Sequence, residues 1–324
     1  MLIACIAKGN LIFQQINEDN KALLKDAIWI DLLFPTRTEE KLLERSLGFD
    51  IPTREEMSEI ELSSRFYKDK DAIFMTGAMI AQSETPDPKL EPVTFVITQK
   101  CLVTIRYIEP HSLKLFTTQL KKIDKDYYNV ISLFIELLDA TVDRLADILE
   151  MIGRRMDDFS KKIFRTDNKH PASKLDYQKM MQQIGSNGDL NTKVRESLIT
   201  FSRLITFFSQ NINSRIDNEG QLRLSTLSKD ILALGDHANF LSSKITFLLE
   251  AILGMVSIEQ NDIIKIFSVA AVMFLPPTLI ASIYGMNFHF LPELSWKYGY
   301  LFALGLMLLA SWLPYKYFKS RKWL

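Results

Sequence analysis

Four uncharged polar residues, Asn261, Ser268, Thr278 and Ser282, recur along one stripe of a mostly apolar segment. With Ile264, Ala271, Leu275 and Gly285 they stand at alternating steps of three and four, the 3.5-residue period of a helical bundle seam. Their amide and hydroxyl oxygens accept hydrogen bonds without carrying net charge. Repeated around an axis, the stripe makes polar rings separated by apolar collars at Ile264 and Leu275. Such collars close a pore by dewetting. The same residue types also serve plain helix packing, because Ser and Thr bond back to the i−4 carbonyl. On the stripe alone both readings stay open.

Two neighbouring features favour a conduit. Pro276 and Pro277 lack a backbone N–H, which frees the carbonyls of Val272 and Met273. Lipid offers those carbonyls no donor, whereas a water-filled axis does. The stripe then ends at Tyr284-Gly285-Met286-Asn287, which gathers backbone carbonyls and the Asn287 amide at one mouth. Neither uncharged run, Ile266 to Phe288 or Tyr298 to Tyr315, contains a carboxylate or histidine, so no ligand set for a dehydrated metal ion is at hand there. Neutral oxygens suit an ion that arrives with its water shell, and Mg2+ surrenders water reluctantly.

The segments that carry these residues read as a membrane hairpin. No fixed charge occurs from Ile266 to Phe288, nor from Tyr298 to Tyr315, and Lys316, Lys319, Arg321 and Lys322 follow. A bilayer core takes about 20 apolar residues of helix. The basic tail places the C-terminus in the cytoplasm, and a hairpin returns the N-terminal part to that side. Trp296, Tyr298 and Tyr300, then Trp312, Tyr315 and Tyr317, suit the two interfaces. Met1 to Phe13 is broken by Lys8, Gly9 and Asn10, so no signal peptide is expected there.

Composition supports a cytoplasmic bulk with a core of its own. The 324 residues are 47% hydrophobic, and the formal net charge of zero gives no electrostatic case for nucleic acid. Cys5 and Cys101, the two cysteines, lie in apolar runs and are expected as buried free thiols.

The first hundred residues alternate strand and helix signals. Leu2–Ala7 and Leu11–Ile16 read as a hairpin, Ala27–Leu33 as a strand stopping before Pro35. Thr36 with Glu39 and Thr53 with Glu56 are capping boxes. Ser64–Tyr67 with Ala72–Ala78, and Val93–Thr98 with Cys101–Tyr107, are further strand pairs, with Gln82–Pro92 a loop. From Tyr127 the periodicity becomes helical: Val130, Leu133, Phe134, Leu137, Leu138, Thr141 and Val142 begin a wide apolar face. Asp167–Pro171 and Gly185–Gly188 read as breaks, and a last helix starts near Leu224. The expected fold class is α+β: a cytoplasmic α/β domain with a mostly antiparallel sheet, long stalk helices and a two-helix transmembrane hairpin. The boundaries fall at 1–126 (α/β domain), 127–222 (helical region), 223–288 (stalk and first span, about 266–286), 289–297 (external loop), 298–318 (second span) and 319–324 (basic tail).

The chain resembles the CorA family of magnesium channels over nearly its whole length. The likeness rests on Tyr284-Gly285-Met286-Asn287 at the end of the first span, Pro292-Glu293-Leu294 in the loop and the C-terminal Lys322-Trp323-Leu324. Thr53 to Glu56, Glu59 to Glu61, Ser64 to Phe66 and Glu259 to Asn261 add to it. A Gly-Met-Asn triplet alone is weak; before the second of two terminal spans, with Pro-Glu-Leu after it, it is specific.

The resemblance implies a homopentameric inner-membrane channel with a funnel-shaped cytoplasmic part, conducting Mg2+ and in related proteins Co2+ or Ni2+. Gly285, Met286 and Asn287 would be the selectivity ring for hydrated ion. Asn261 would form a polar ring near the cytoplasmic end, with Thr278 and Ser282 between, and Glu293 would draw cations to the entrance. No cofactor is implied beyond Mg2+ as transported and regulatory ion. Family members close when cytoplasmic Mg2+ binds acids between subunits; Asp230, Asp236 and an acid within Glu84–Glu91 are candidates. His289 and Leu291 replace an acid and a methionine common in relatives, and Ile264 and Leu275 stand where methionine is frequent. Rival readings are a zinc transporter on the same fold, a membrane-anchored enzyme and a scaffold. The enzyme is disfavoured by the absence of a phosphate-cradling glycine loop and by the isolation of His111, His170 and His237.

Overall fold

The computed structural model describes residues 1–8, 10–120, 129–164, 177–212, 215–287 and 296–321. Two compact units make up the chain, Met1–Leu249 and Glu250–Leu324.

In the first unit the apolar runs form seven strands: β1 (Leu2–Lys8), β2 (Asn10–Gln15), β3 (Ala27–Leu33), β4 (Phe66–Asp69), β5 (Ala72–Ala81), β6 (Lys89–Ile97) and β7 (Leu102–Arg106). They make one sheet in the order β2-β1-β3-β7-β6-β5-β4. All pairs are antiparallel except β3 with β7. The described residues of the whole chain form eight α-helices: α1 (Arg37–Leu47), α2 (Arg54–Ser58), α3 (Leu62–Arg65), α4 (His111–Leu120), α5 (Val130–Phe164), α6 (Tyr177–Ile212), α7 (Asn218–Tyr284) and α8 (Gly299–Ser320). Of these, α8 and the part of α7 from Glu250 belong to the second unit. Both expected capping boxes form: Thr36 and Thr53 accept from the N–H groups of Glu39 and Glu56, whose carboxylates reach back.

The sheet is covered on both faces. Phe74, Val96 and Val103 join a cluster with Leu42, Leu43, Phe49 and Met57 on one side. On the other, Phe95 packs against Phe134 of α5 and Phe201 of α6. This explains why β5 is buried at every position and reads as an unbroken apolar run. Gly77 is where α6 approaches most closely: an added Cβ would lie 3.3 Å from Leu204 and Phe201. Beside it, Ala78 stands opposite Pro92 and turns its backbone polar groups to α6, donating its N–H to Thr200 Oγ1 at 2.9 Å and accepting from Ser197 Oγ at 2.6 Å. Ser197→Ala strips the buried Ala78 carbonyl of its donor. It is expected to lower stability by about 1–3 kcal/mol, read as an earlier denaturant midpoint.

Several boundaries differ from the sequence reading. Leu62–Arg65 is a helical turn, so the strand expected from Ser64 starts at Phe66. β6 starts at Lys89, so Pro92 lies in a strand and not in the loop. Its tolerance there follows from the ladder: β7 pairing begins only at Val93. Gly185 and Gly188 do not break α6. At Gly188 a Cβ would sit 3.4 Å from Ile245 of α7, and Asn191 Nδ2 donates to the Ala238 carbonyl at 2.9 Å. The glycine thus serves helix packing. Asp167–Pro171 lies outside the described residues. α7 begins at Asn218, earlier than expected, and runs through Pro276 and Pro277 to Tyr284. The changes of character at 126 and 222 are not packing divisions, since the sheet, α5, α6 and the first part of α7 share one unit.

Candidate ion-conduction site

The stripe occupies the part of α7 that lies in the second unit. Its eight positions, from 261 to 285, are all exposed, with Ile264 at 60% and Leu275 at 67%. The other side of α7 is the covered one. Val269 is 3% exposed, and Met273, Pro276, Pro277, Ile280 and Tyr284 are partly covered. At 3.6 residues per turn the two sets point roughly 170° apart. α8 presents a matching face with Gly299 and Ala303 buried, and Ser311 Oγ donates to the Met273 carbonyl at 3.0 Å. The stripe therefore points directly away from α8.

That bond corrects one expectation. The Met273 carbonyl, freed by Pro277, is satisfied by α8 and not by a water-filled axis. Thr278 behaves as the packing reading requires, donating its hydroxyl hydrogen to the Phe274 carbonyl at 2.7 Å. The hydroxyl oxygen keeps lone pairs on the exposed side, so what Thr278 offers outward is an acceptor.

At the mouth, the Gly285 N–H donates to Ala281 at 3.0 Å and the Met286 N–H to Ile283 at 3.2 Å, which closes α7. Gly285, Met286 and Asn287 are exposed. Gly48 is the one glycine among the described residues with a positive φ, so backbone twist does not require glycine at 285. The helix C-terminus carries about half a negative charge at this end, an arrangement suited to a cation. Glu293, His289 and Leu291 lie outside the described residues.

Asp230 and Asp236 are exposed on α7 in the first unit, roughly 120° apart around the helix. The charge of Asp230 reaches an acidic row on α5. Partial burial, then the charges of Asp139, Asp147 and Asp230, hold the Asp143 carboxyl above the usual carboxylate range. Asp139, Asp143 and Asp147, at steps of four along α5, help line a cavity of about 550 Å³ with Glu136, Arg144 and Arg223. The sequence reading missed this row, although its spacing alone puts it on one helix face. Arg223 pairs with Asp139 at 2.8 Å and Arg144 with Glu84 at 2.9 Å, while Glu91 lies 3.6 Å from Arg54. Among the described residues no three of His, Cys, Asp and Glu converge as a metal-ligand set.

Two helices, Asn218–Tyr284 and Gly299–Ser320, are long and apolar enough to cross a membrane, and only 6% of each apolar window is buried. The family described as "CorA-like Mg2+ transporter protein" matches residues 25–320. The chain belongs to the CorA-like Mg2+ transporter family. The magnesium transport protein CorA of Mannheimia succiniciproducens is 33% identical over 323 residues, covering 100% of each chain. That of Pasteurella multocida is 34% identical over 310 residues, 96% of each. The complete structure of the CorA magnesium transporter from Methanocaldococcus jannaschii matches with a TM-score of 0.77 at 19% identity, covering 100% of this chain and 99% of that one. At that identity the likeness concerns the fold. Membership of a CorA transporter family accounts for two apolar helices whose surfaces are left uncovered.

Proposed function

We propose that the chain is a homopentameric Mg2+ channel of the inner membrane, with both termini cytoplasmic, that admits hydrated Mg2+ through an axis lined by the 261–285 stripe. The observation that carries this reading is the direction of the stripe. One chain cannot enclose a pore, and the polar face of α7 is the one α8 leaves bare. Copies arranged around that face line the axis with Asn261, Ser268, Thr278 and Ser282, and place collars at Ile264 and Leu275.

At the outer mouth, Asn287 amide oxygens and backbone carbonyls of Gly285 and Met286 accept hydrogen bonds from the ion's water. No ligand exchange is needed, which suits an ion that dehydrates reluctantly. Glu293 in the external loop raises the local cation concentration. Co2+ and Ni2+, carried as hydrates, use the same contacts. An inside-negative potential drives entry, at about 2.3 kcal/mol per charge per 100 mV. Zinc is the weaker reading, because the stripe carries no His or Cys to favour it.

Closure follows cytoplasmic Mg2+. Asp230, whose charge acts on Asp143 of the α5 row, and Asp236 are the regulatory candidates. One chain alone assembles no ligand set among its described residues, so the ion bridges copies.

Cysteine substitution tests the lining. Cys5 and Cys101 are each 2% exposed, and burial pushes the Cys5 thiol up to about 12, so the parent protein is silent to charged thiol reagents. Ser268→Cys, Thr278→Cys and Ser282→Cys should label from water and lose most Mg2+ flux on labelling. Phe267→Cys and Leu308→Cys, off the stripe, should do neither. Equal labelling of both sets would contradict a lined axis.

A further inference from the structure

On α8, Gly305, Leu308, Trp312, Tyr315 and Lys319 follow at steps of three and four, with Lys316 beside them, so they share one face. Together with Met273 of α7, the apolar members line a groove of about 570 Å³, within the size range of small-ligand sites. A Cβ added at Gly305 would meet nothing within 4 Å, so the glycine leaves the groove open. The Ser311 hydroxyl in its wall is engaged with the Met273 carbonyl at 3.0 Å, and the other lining residues are apolar apart from the ring edges of Trp312 and Tyr315.

The other end is aromatic and basic. Lys316 Nζ lies 5.0 Å from the Trp312 ring centre and Lys319 Nζ 5.6 Å from that of Tyr315, contacts that hold both ammoniums beside the groove. No Asp or Glu occurs between Trp296 and Arg321 to neutralise them. From Gly305 to Lys316 the helix rises about 16 Å, close to the roughly 15 Å hydrocarbon depth of one leaflet.

We propose that this groove is a binding site for one anionic phospholipid of the cytoplasmic leaflet. An acyl chain lies along Met273, Gly305 and Leu308, between Trp312 and Tyr315, and the phosphate rests on Lys316 and Lys319. Charge complementarity selects this occupant over a second copy of the chain, whose apolar helix would leave both lysines desolvated and unpaired. The assignment rests on the cytoplasmic placement of the C-terminus.

The test is native mass spectrometry of the full-length protein in detergent, titrated with phosphatidylglycerol or phosphatidylcholine of identical acyl chains. The wild type should retain phosphatidylglycerol with a preference on the order of 30-fold, the scale two lysines give near an anionic surface. Lys316→Gln with Lys319→Gln should abolish the preference while zwitterionic lipid still binds. Gly305→Leu should reduce retention of both lipids. No preference in the wild type, or a preference untouched by the double variant, would overturn the proposal. A changed oligomer mass in Gly305→Leu with unchanged lipid retention would assign the groove to a second copy and also overturn it. Lipid preference in a protein that carries no Mg2+ would count against the channel and leave this site standing.

Discussion

Asn287→Ala is expected to lower Mg2+ flux into proteoliposomes to about a hundredth of wild type or less, with the mass of the assembly unchanged. Each subunit loses one amide that accepts from, and orients, the ion's water shell. A net hydrogen bond is worth about 0.5–1.5 kcal/mol, and every 1.4 kcal/mol is a factor of about ten. Five copies around one ion therefore remove about 2.5 kcal/mol even at the lower limit, which is already close to a hundredfold. Asn287 is exposed at the end of α7, so the fold does not depend on it. Asn287→Asp retains an acceptor and adds charge, and should keep measurable flux with altered ion preference. Full flux in the alanine variant would remove the selectivity role from the triplet.

Leu275→Ser is expected to leave the channel leaking when cytoplasmic Mg2+ is high. Leu275 is 67% exposed on the stripe, and its copies form the collar that excludes water from the closed axis. Keeping an apolar side chain of this size from water is worth about 1.5–3 kcal/mol. A fraction of that, summed over the ring, already exceeds the roughly 1.4 kcal/mol that makes a tenfold change. Residual flux in the closed condition should therefore rise more than tenfold, while flux in the open condition changes little. A tight closed state in the serine variant would place the gate elsewhere, with Ile264 as the next collar to test.

Much of this was legible in the residues. The capping boxes at Thr36 and Thr53, the strand Ala27–Leu33 and the α5 apolar face follow from local chemistry that tertiary packing did not override. Two of the differences share one cause: a glycine or proline reads as punctuation until what lies beside it is known. Gly188 is a close approach to Ile245, and Pro92 sits where no neighbouring ladder asks for its N–H. Pro276 and Pro277 stay inside α7, and the carbonyl freed at Met273 is satisfied by Ser311, a residue 38 positions away that no local pattern reveals. At the site, the 3.5-residue period puts eight residues on one face of α7, and all eight are exposed. It could not say whether that face was the covered one, because a seam packed on α8 and a seam facing an axis have the same period. The α5 acids escaped notice because a row of carboxylates on a helix usually marks a solvated face. What distinguishes this row is the charge of Asp230, far along the chain on α7, which adds to the upward shift of Asp143.

The most direct measurement is dye-reported Mg2+ entry into proteoliposomes containing the purified full-length protein, with and without high Mg2+ on the cytoplasmic face. The predicted result is rapid entry that cytoplasmic Mg2+ suppresses. No entry under either condition, from protein whose mass shows five subunits, would contradict the account and turn the search toward another divalent ion, beginning with zinc.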